Sequence, residues 1–223
     1  MFVYTKKYAV IFLIMLLGVA QAGAHQPRIA YDTDSSESNP IIVKDPEVSK
    51  AYYGNLRGKP DYYQISSDAS LTLYLNILIP EIKGYEKKDF FVQVTDQDNN
   101  QVLLINGSEY EWNPFYEPYG GDNYIMGPDA RAAVSEGTYR IKVYSPENQG
   151  RYSLAIGEIE SFPPAEMINA LIVIPQIKQH FFGKTLIESY SNTSGLTILG
   201  IAALLLMTIA LVLRRRAGKN RKN

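Results

Sequence analysis

Between Lys50 and Gly157, apolar residues recur at every second position in short runs, the spacing that places one row of side chains on one face of a β-strand. Leu71, Leu73, Leu75, Ile77 and Ile79 alternate with Thr72, Tyr74 and Asn76 until Pro80 ends the run. Phe90, Val92 and Val94 repeat the pattern, and Asp96-Gln-Asp-Asn-Asn100 is a polar turn into Val102 to Ile105. Gly137 to Val143 and Tyr152 to Ile156 alternate on either side of Ser145-Pro-Glu-Asn-Gln-Gly150, which predicts a closing hairpin. Ala51 to Leu56 and Asp61 to Ile65, around Arg57-Gly-Lys-Pro60, predict an earlier pair. Six or more short strands without a long helical pattern among them predict an all-β domain over residues 50–160, an antiparallel β-sandwich.

The flanks follow other periods. His25 to Asn39 is polar, with an acidic, Ser-rich stretch from Asp32, and residues 25–49 read as an extended lead-in. In residues 161–194, Pro163 and Pro164 suit a helix start, Ala165 to Phe182 is strongly apolar, and Pro175 ends or kinks the helix. That short helical segment either packs on the sandwich or lies in a membrane interface. From Gly195 to Leu213 the chain has no charge, and residues 214–223 carry six basic residues and no acid. Such a run is long enough to span a bilayer as one transmembrane helix, and the basic tail orients it with its C-terminus in the cytoplasm. Residues 1–24 combine a basic start, a short apolar run and small residues ending in Ala22 and Ala24, the three parts of a secretory signal. The expected protein sits in the cell membrane by a single pass, with its β-domain outside the cytoplasm.

Charge sharpens this expectation. All 23 acidic residues lie between His25 and Ser194, against 14 Lys and Arg there, so that segment carries −9 while the chain as a whole carries −1. An acidic outer domain excludes nucleic acid as its partner, because phosphate binding needs a basic surface. Cysteine is absent, which excludes disulfides, thiolate metal sites and cysteine nucleophiles together. The domain must be held by its core alone.

The opening YYGNLRGKPDYYQI, the leucine-alternating strand, the hairpin FFVQVTDQDNNQVL and the closing GTYRIKVYSPENQGRYSLAIGE together resemble the bacterial pre-peptidase C-terminal domain. The resemblance covers about half of the chain. It implies a small β-sandwich of the kind appended to secreted enzymes and surface proteins, similar in shape to carbohydrate- or matrix-binding modules and not itself catalytic. No protease precedes the module here, a departure from the usual arrangement of that family.

Candidate chemistry is sparse. Two histidines, and no G-x-S-x-G, HExxH, P-loop or dinucleotide fingerprint, give no catalytic motif, and the chain is expected not to be an enzyme. The segment Glu109 to Pro128 is too rich in Pro and Gly for a strand and concentrates aromatic residues: Trp112, Phe115, Tyr116, Tyr119 and Tyr124, with Tyr110 beside them. Such rings either seal one end of the sandwich or contact a protein or glycan partner. Asp96 and Asp98 offer oxygen ligands for calcium, as does Gly121-Asp-Asn123, but neither completes an EF-hand pattern, and ordinary turn chemistry is the favoured alternative for both. Cleavage after Ala24 would leave His25 with a free amino group beside its imidazole, a pair of nitrogens suited to copper; cleavage after Ala22 would not. The leading function is a non-catalytic binding or assembly module without an obligatory cofactor. Its alternatives are a periplasmic copper-handling protein and an accessory subunit of a membrane complex.

Overall fold

The computed structural model describes residues 25–84, 88–118 and 120–191, and isolated positions within 195–214. The signal segment 1–24 and most of the run 195–213 lie outside the described residues, and among those described no helix is long and apolar enough to cross a membrane.

Two sheets face each other. The first has the order β1 (Gln26–Ile29), β3 (Lys50–Arg57), β11 (Gln149–Ile156), β5 (Leu71–Pro80), β9 (Asp122–Val134), β8 (Asn113–Glu117). The second has the order β2 (Ile41–Val43), β4 (Asp61–Ser67), β10 (Gly137–Tyr144), β6 (Phe91–Thr95), β7 (Gln101–Asn106). Their inner rows form one core in which Leu73, Leu75, Ile77 and Ile79 of β5 meet Tyr63 and Ile65 of β4, Val92 and Val94 of β6, and Ile141 and Val143 of β10. Alternation therefore identified the inward faces correctly, and β6 and β7 form the hairpin expected around Asp96 to Asn100.

Two other expected hairpins are corners instead. β3 and β4 lie in different sheets, as do β10 and β11, so each short connection carries the chain across the sandwich. Alternation cannot tell a corner from a hairpin, because both present an apolar row to a common interior. The two corners lie side by side: Gly58, at φ 85°, donates its N–H to Asn148 O at 2.7 Å, and Asn148 itself has φ 47°. Gly58 needs that left-handed backbone, which side chains rarely adopt. Behind the corners a polar thread joins the sheets. Tyr152 of β11 donates to Asp61 Oδ2 at 2.7 Å, its oxygen lies 2.8 Å from Tyr63 Oη, and Ser35 Oγ donates to Asp61 Oδ1 at 3.1 Å. Burial raises the Asp61 pKa above the ordinary carboxyl value against these hydrogen bonds.

The lead-in is more than an extended arm. Its β1 pairs with β3 and its β2 with β4, both in parallel, so residues 25–49 supply an edge strand to each sheet of an otherwise antiparallel sandwich. The segment judged too rich in Pro and Gly for a strand is likewise a hairpin, β8 with β9, in register from Asn113↔Met126 to Glu117↔Asp122. Pro114 is accommodated because β8 is the last strand of its sheet, where a missing N–H on the open side costs no ladder bond.

Candidate functional site

The outer face of the first sheet is covered. Helix α1 (Pro164–Gln176) starts behind Pro163, passes into a π-helical turn at Ile177–Phe181 and is followed by the short helix α2 (Leu186–Tyr190). Pro175 lies inside α1 without an N–H for the Leu171 carbonyl, and the wider turn that follows closes with Phe182 N–H on Ile177 O at 3.1 Å. Ile177, Phe181 and Phe182 pack with Tyr31, Leu78 and Tyr124 into a second core, to which Tyr53, Phe115 and Val173 add partial burial. This explains why Asn76 and Leu78 of β5 are buried although they point away from the main core.

Both ends of this helical segment are held by charge. At the start, Arg28 of β1 grips Glu166 through two hydrogen bonds of 2.9 and 2.8 Å. At the end, Lys178 Nζ lies 2.6 Å from Asp122 Oδ2 and also donates to Gly120 O, while Lys184 bonds the other Asp122 oxygen. Burial lowers the Lys178 pKa, and the Asp122 carboxylate opposes that shift. Magnitudes divide the labour between these contacts. Burying Ile177, Phe181 and Phe182 contributes roughly 1.5–3 kcal/mol each, whereas a buried ion pair about breaks even against its desolvation. Apolar contact holds the helix down, and the charges fix where it sits.

Between α1 and the sheet remains a cleft of about 240 Å³, floored by Leu78, Tyr124 and Ile174, with His25 and Lys178 among its polar lining. That is below the roughly 300–1,000 Å³ of small-molecule sites. Several of its polar groups are held by specific partners: Lys178 by Asp122, Tyr53 Oη by Tyr124 Oη at 3.1 Å, Asn76 by the Gly127 and Pro128 carbonyls, and His25 Nδ1 by Ser49 Oγ. The arrangement suits a structural joint better than a reacting centre.

The aromatic candidates are dispersed. Trp112 is 6% exposed and lies in the main core, its indole N–H donating to Gly107 O at 2.8 Å. Its ring passes so close to Gly127 that a Cβ there would stand 2.6 Å from it. Tyr124 and Phe115 line the cleft under α1. Tyr116, between them on the alternate face of the hairpin, is 59% exposed, and Tyr110 is exposed near it in sequence. Tyr119 lies outside the described residues.

The metal candidates do not converge. Asp96 Oδ1 accepts the N–H groups of Asp98 and Asn100 at 2.9 and 2.8 Å, and Oδ2 accepts from Asn100 Nδ2, which accounts for the turn and lowers the Asp96 pKa. Asp122 is held by two lysines. Desolvation lowers the His25 pKa, and His180 lies instead beside Tyr31. Among the described residues no three His, Asp or Glu side chains come together as a metal site. Sequence reasoning missed the Lys178–Asp122 clasp; the partners stand 56 positions apart, and the one hint was a lysine inside an apolar stretch.

No known protein family matches this sequence, and no curated protein is similar to it. Solved structures share its outline. The pre-peptidase C-terminal domain of a Bacillus anthracis collagenase is 13% identical, over 61% of this chain and 98% of that one, with a TM-score of 0.32. CorA, a surface-associated copper-binding protein of Methylomicrobium album BG8, is 10% identical over 61% and 98%, at 0.27. A β-glucosidase of Kluyveromyces marxianus is 11% identical over 66% of this chain and 15% of its own, also at 0.27. These values are too low to carry any argument about ligand or activity, and the sandwich stands on this chain's own strand pairing.

Proposed function

We propose that this chain is a non-catalytic binding or assembly module, anchored in a membrane by residues 195–213 and acting outside the cytoplasm. The anchor rests on the uncharged run and its basic flank. The contact surface we assign is the exposed face of β8 with Tyr116, together with the exposed Tyr110 that precedes the strand, and the observation that carries it is that Tyr116 is 59% exposed on a terminal strand while Phe115 beside it and Tyr124 of β9 pack under α1. Pro114 removes a donor from that edge, so contact is made by side chains rather than by adding a strand. Tyrosine suits a protein or a glycan partner, offering a rigid ring at small entropic cost.

The test is a photo-crosslinking residue at position 116 or 110 in the intact protein in its own membrane, followed by mass spectrometry of the adducts. A discrete partner captured at these positions and not at Leu104, exposed on β7, is the expected result. Absence of adducts at both positions, with the protein at normal abundance, ends this reading.

A further inference from the structure

Helix α1 has two apolar faces and only one of them is covered. Val173 and Ile177 pack into the second core against the sheet, while Ile168 and Ile172, one turn apart on the opposite side, are 61% and 58% exposed. Leu186 and Ile187 of the neighbouring α2 are also uncovered, at 62% and 80%. The single charged residue of α1, Glu166, is taken by Arg28, and Glu188 of α2 is turned into a capping box with Thr185. Helices that are apolar all round normally have both faces covered.

The start of the apolar run fixes what covers this one. Gly195 lines a small pocket together with Leu171, Pro175 and Tyr190, so the first residue of the run lies against the side of α1. A helix over the 19 residues 195–213 rises about 28 Å, close to the roughly 30 Å thickness of the hydrocarbon layer. No length is left over, so Gly195 must stand at the edge of the hydrocarbon, and the α1 surface beside it must stand at the same level.

We infer that the outer face of α1 and α2, carrying Ile168, Ile172, Leu186 and Ile187, lies in the surface of the lipid bilayer, clamping the sandwich at a fixed height and orientation above it. The inference rests on the anchored reading of residues 195–213. Contact is apolar: Lys178 and Lys184 are turned inward to Asp122, so it depends little on anionic lipid.

The chain has no cysteine, which allows single cysteines to be introduced into the full-length protein at Ile168, Ile172 and Ile187, with Leu104 and Tyr116 as controls. Each is spin-labelled in phosphatidylcholine nanodiscs and in discs with anionic lipid. Collision with oxygen, which concentrates in lipid, is compared with collision with a water-soluble nickel chelate. Labels at the three helix positions should favour oxygen in both lipids, and labels at the controls should favour nickel. Nickel-accessible helix labels on a protein that still resists carbonate extraction would overturn the inference and leave the anchor standing. Helix labels shielded from both reagents would mean a protein covers this face, which also overturns it. Release of the wild-type protein by carbonate would remove the anchor itself and the inference with it.

Discussion

Lys178 and Asp122 meet 2.6 Å apart beneath α1, with side chains 1% and 5% exposed, and their contact fixes the helical segment against the turn of the β8 hairpin.

The two partners differ in what their loss leaves behind. Asp122→Ala strands the buried Lys178 cation and is expected to cost about 3–5 kcal/mol. Lys178→Met leaves Asp122 paired with Lys184 and places an apolar chain in an apolar pocket, so it should cost much less. Urea unfolding of the two variants measures the difference, and hydrogen exchange should show α1 opening first in Asp122→Ala.

The aromatic segment splits in the same way. Trp112→Ala removes a core ring and should destabilise by about 3–5 kcal/mol. Tyr116→Ala should stay within about 0.5 kcal/mol while reducing partner capture. Equal losses of stability from both would contradict the inward and outward assignment of these rings.

Asp61 gives the core a pH dependence of known sign. Its folded pKa is raised by burial, so the stability it contributes is complete below the unfolded carboxyl value near 3.8 and is lost as pH rises through the raised folded value. Asp61→Asn does not ionise. Its stability relative to wild type should therefore improve with rising pH across that window, as measured by urea unfolding at a series of pH values.

Orientation is tested on intact cells or spheroplasts. Protease added outside should degrade the domain and spare a tag fused after Asn223, as the basic flank 214–223 requires. Protection of the domain would overturn the assigned orientation.

Period-two alternation along β5, β6 and β10 determined which residues face the main core, because successive side chains of a strand point to opposite faces. The same alternation also foretold the β6–β7 hairpin. It could not fix pairing elsewhere, and the two other hairpins it suggested are corners between the sheets. Ala51 to Leu56 looks alike whether the next strand lies beside it or across the sandwich; in the folded chain β3 and β4 belong to opposite sheets, and Tyr152 of β11 meets Tyr63 of β4 across the interior.

Residues 109–128 show the other limit. Their Pro and Gly content argued against a strand, but propensity is a local quantity and an edge position tolerates Pro114. Sequence by itself determined the charge segregation, the absence of cysteine chemistry and the apolar character of Ala165 to Phe182, since these are properties of composition. Only the tertiary structure decided that Trp112 fills the core while Tyr116 faces water, and that Lys178 finds Asp122 across 56 positions. Those outcomes depend on which surfaces remain once two sheets and a helix have closed on one another, which no local pattern encodes.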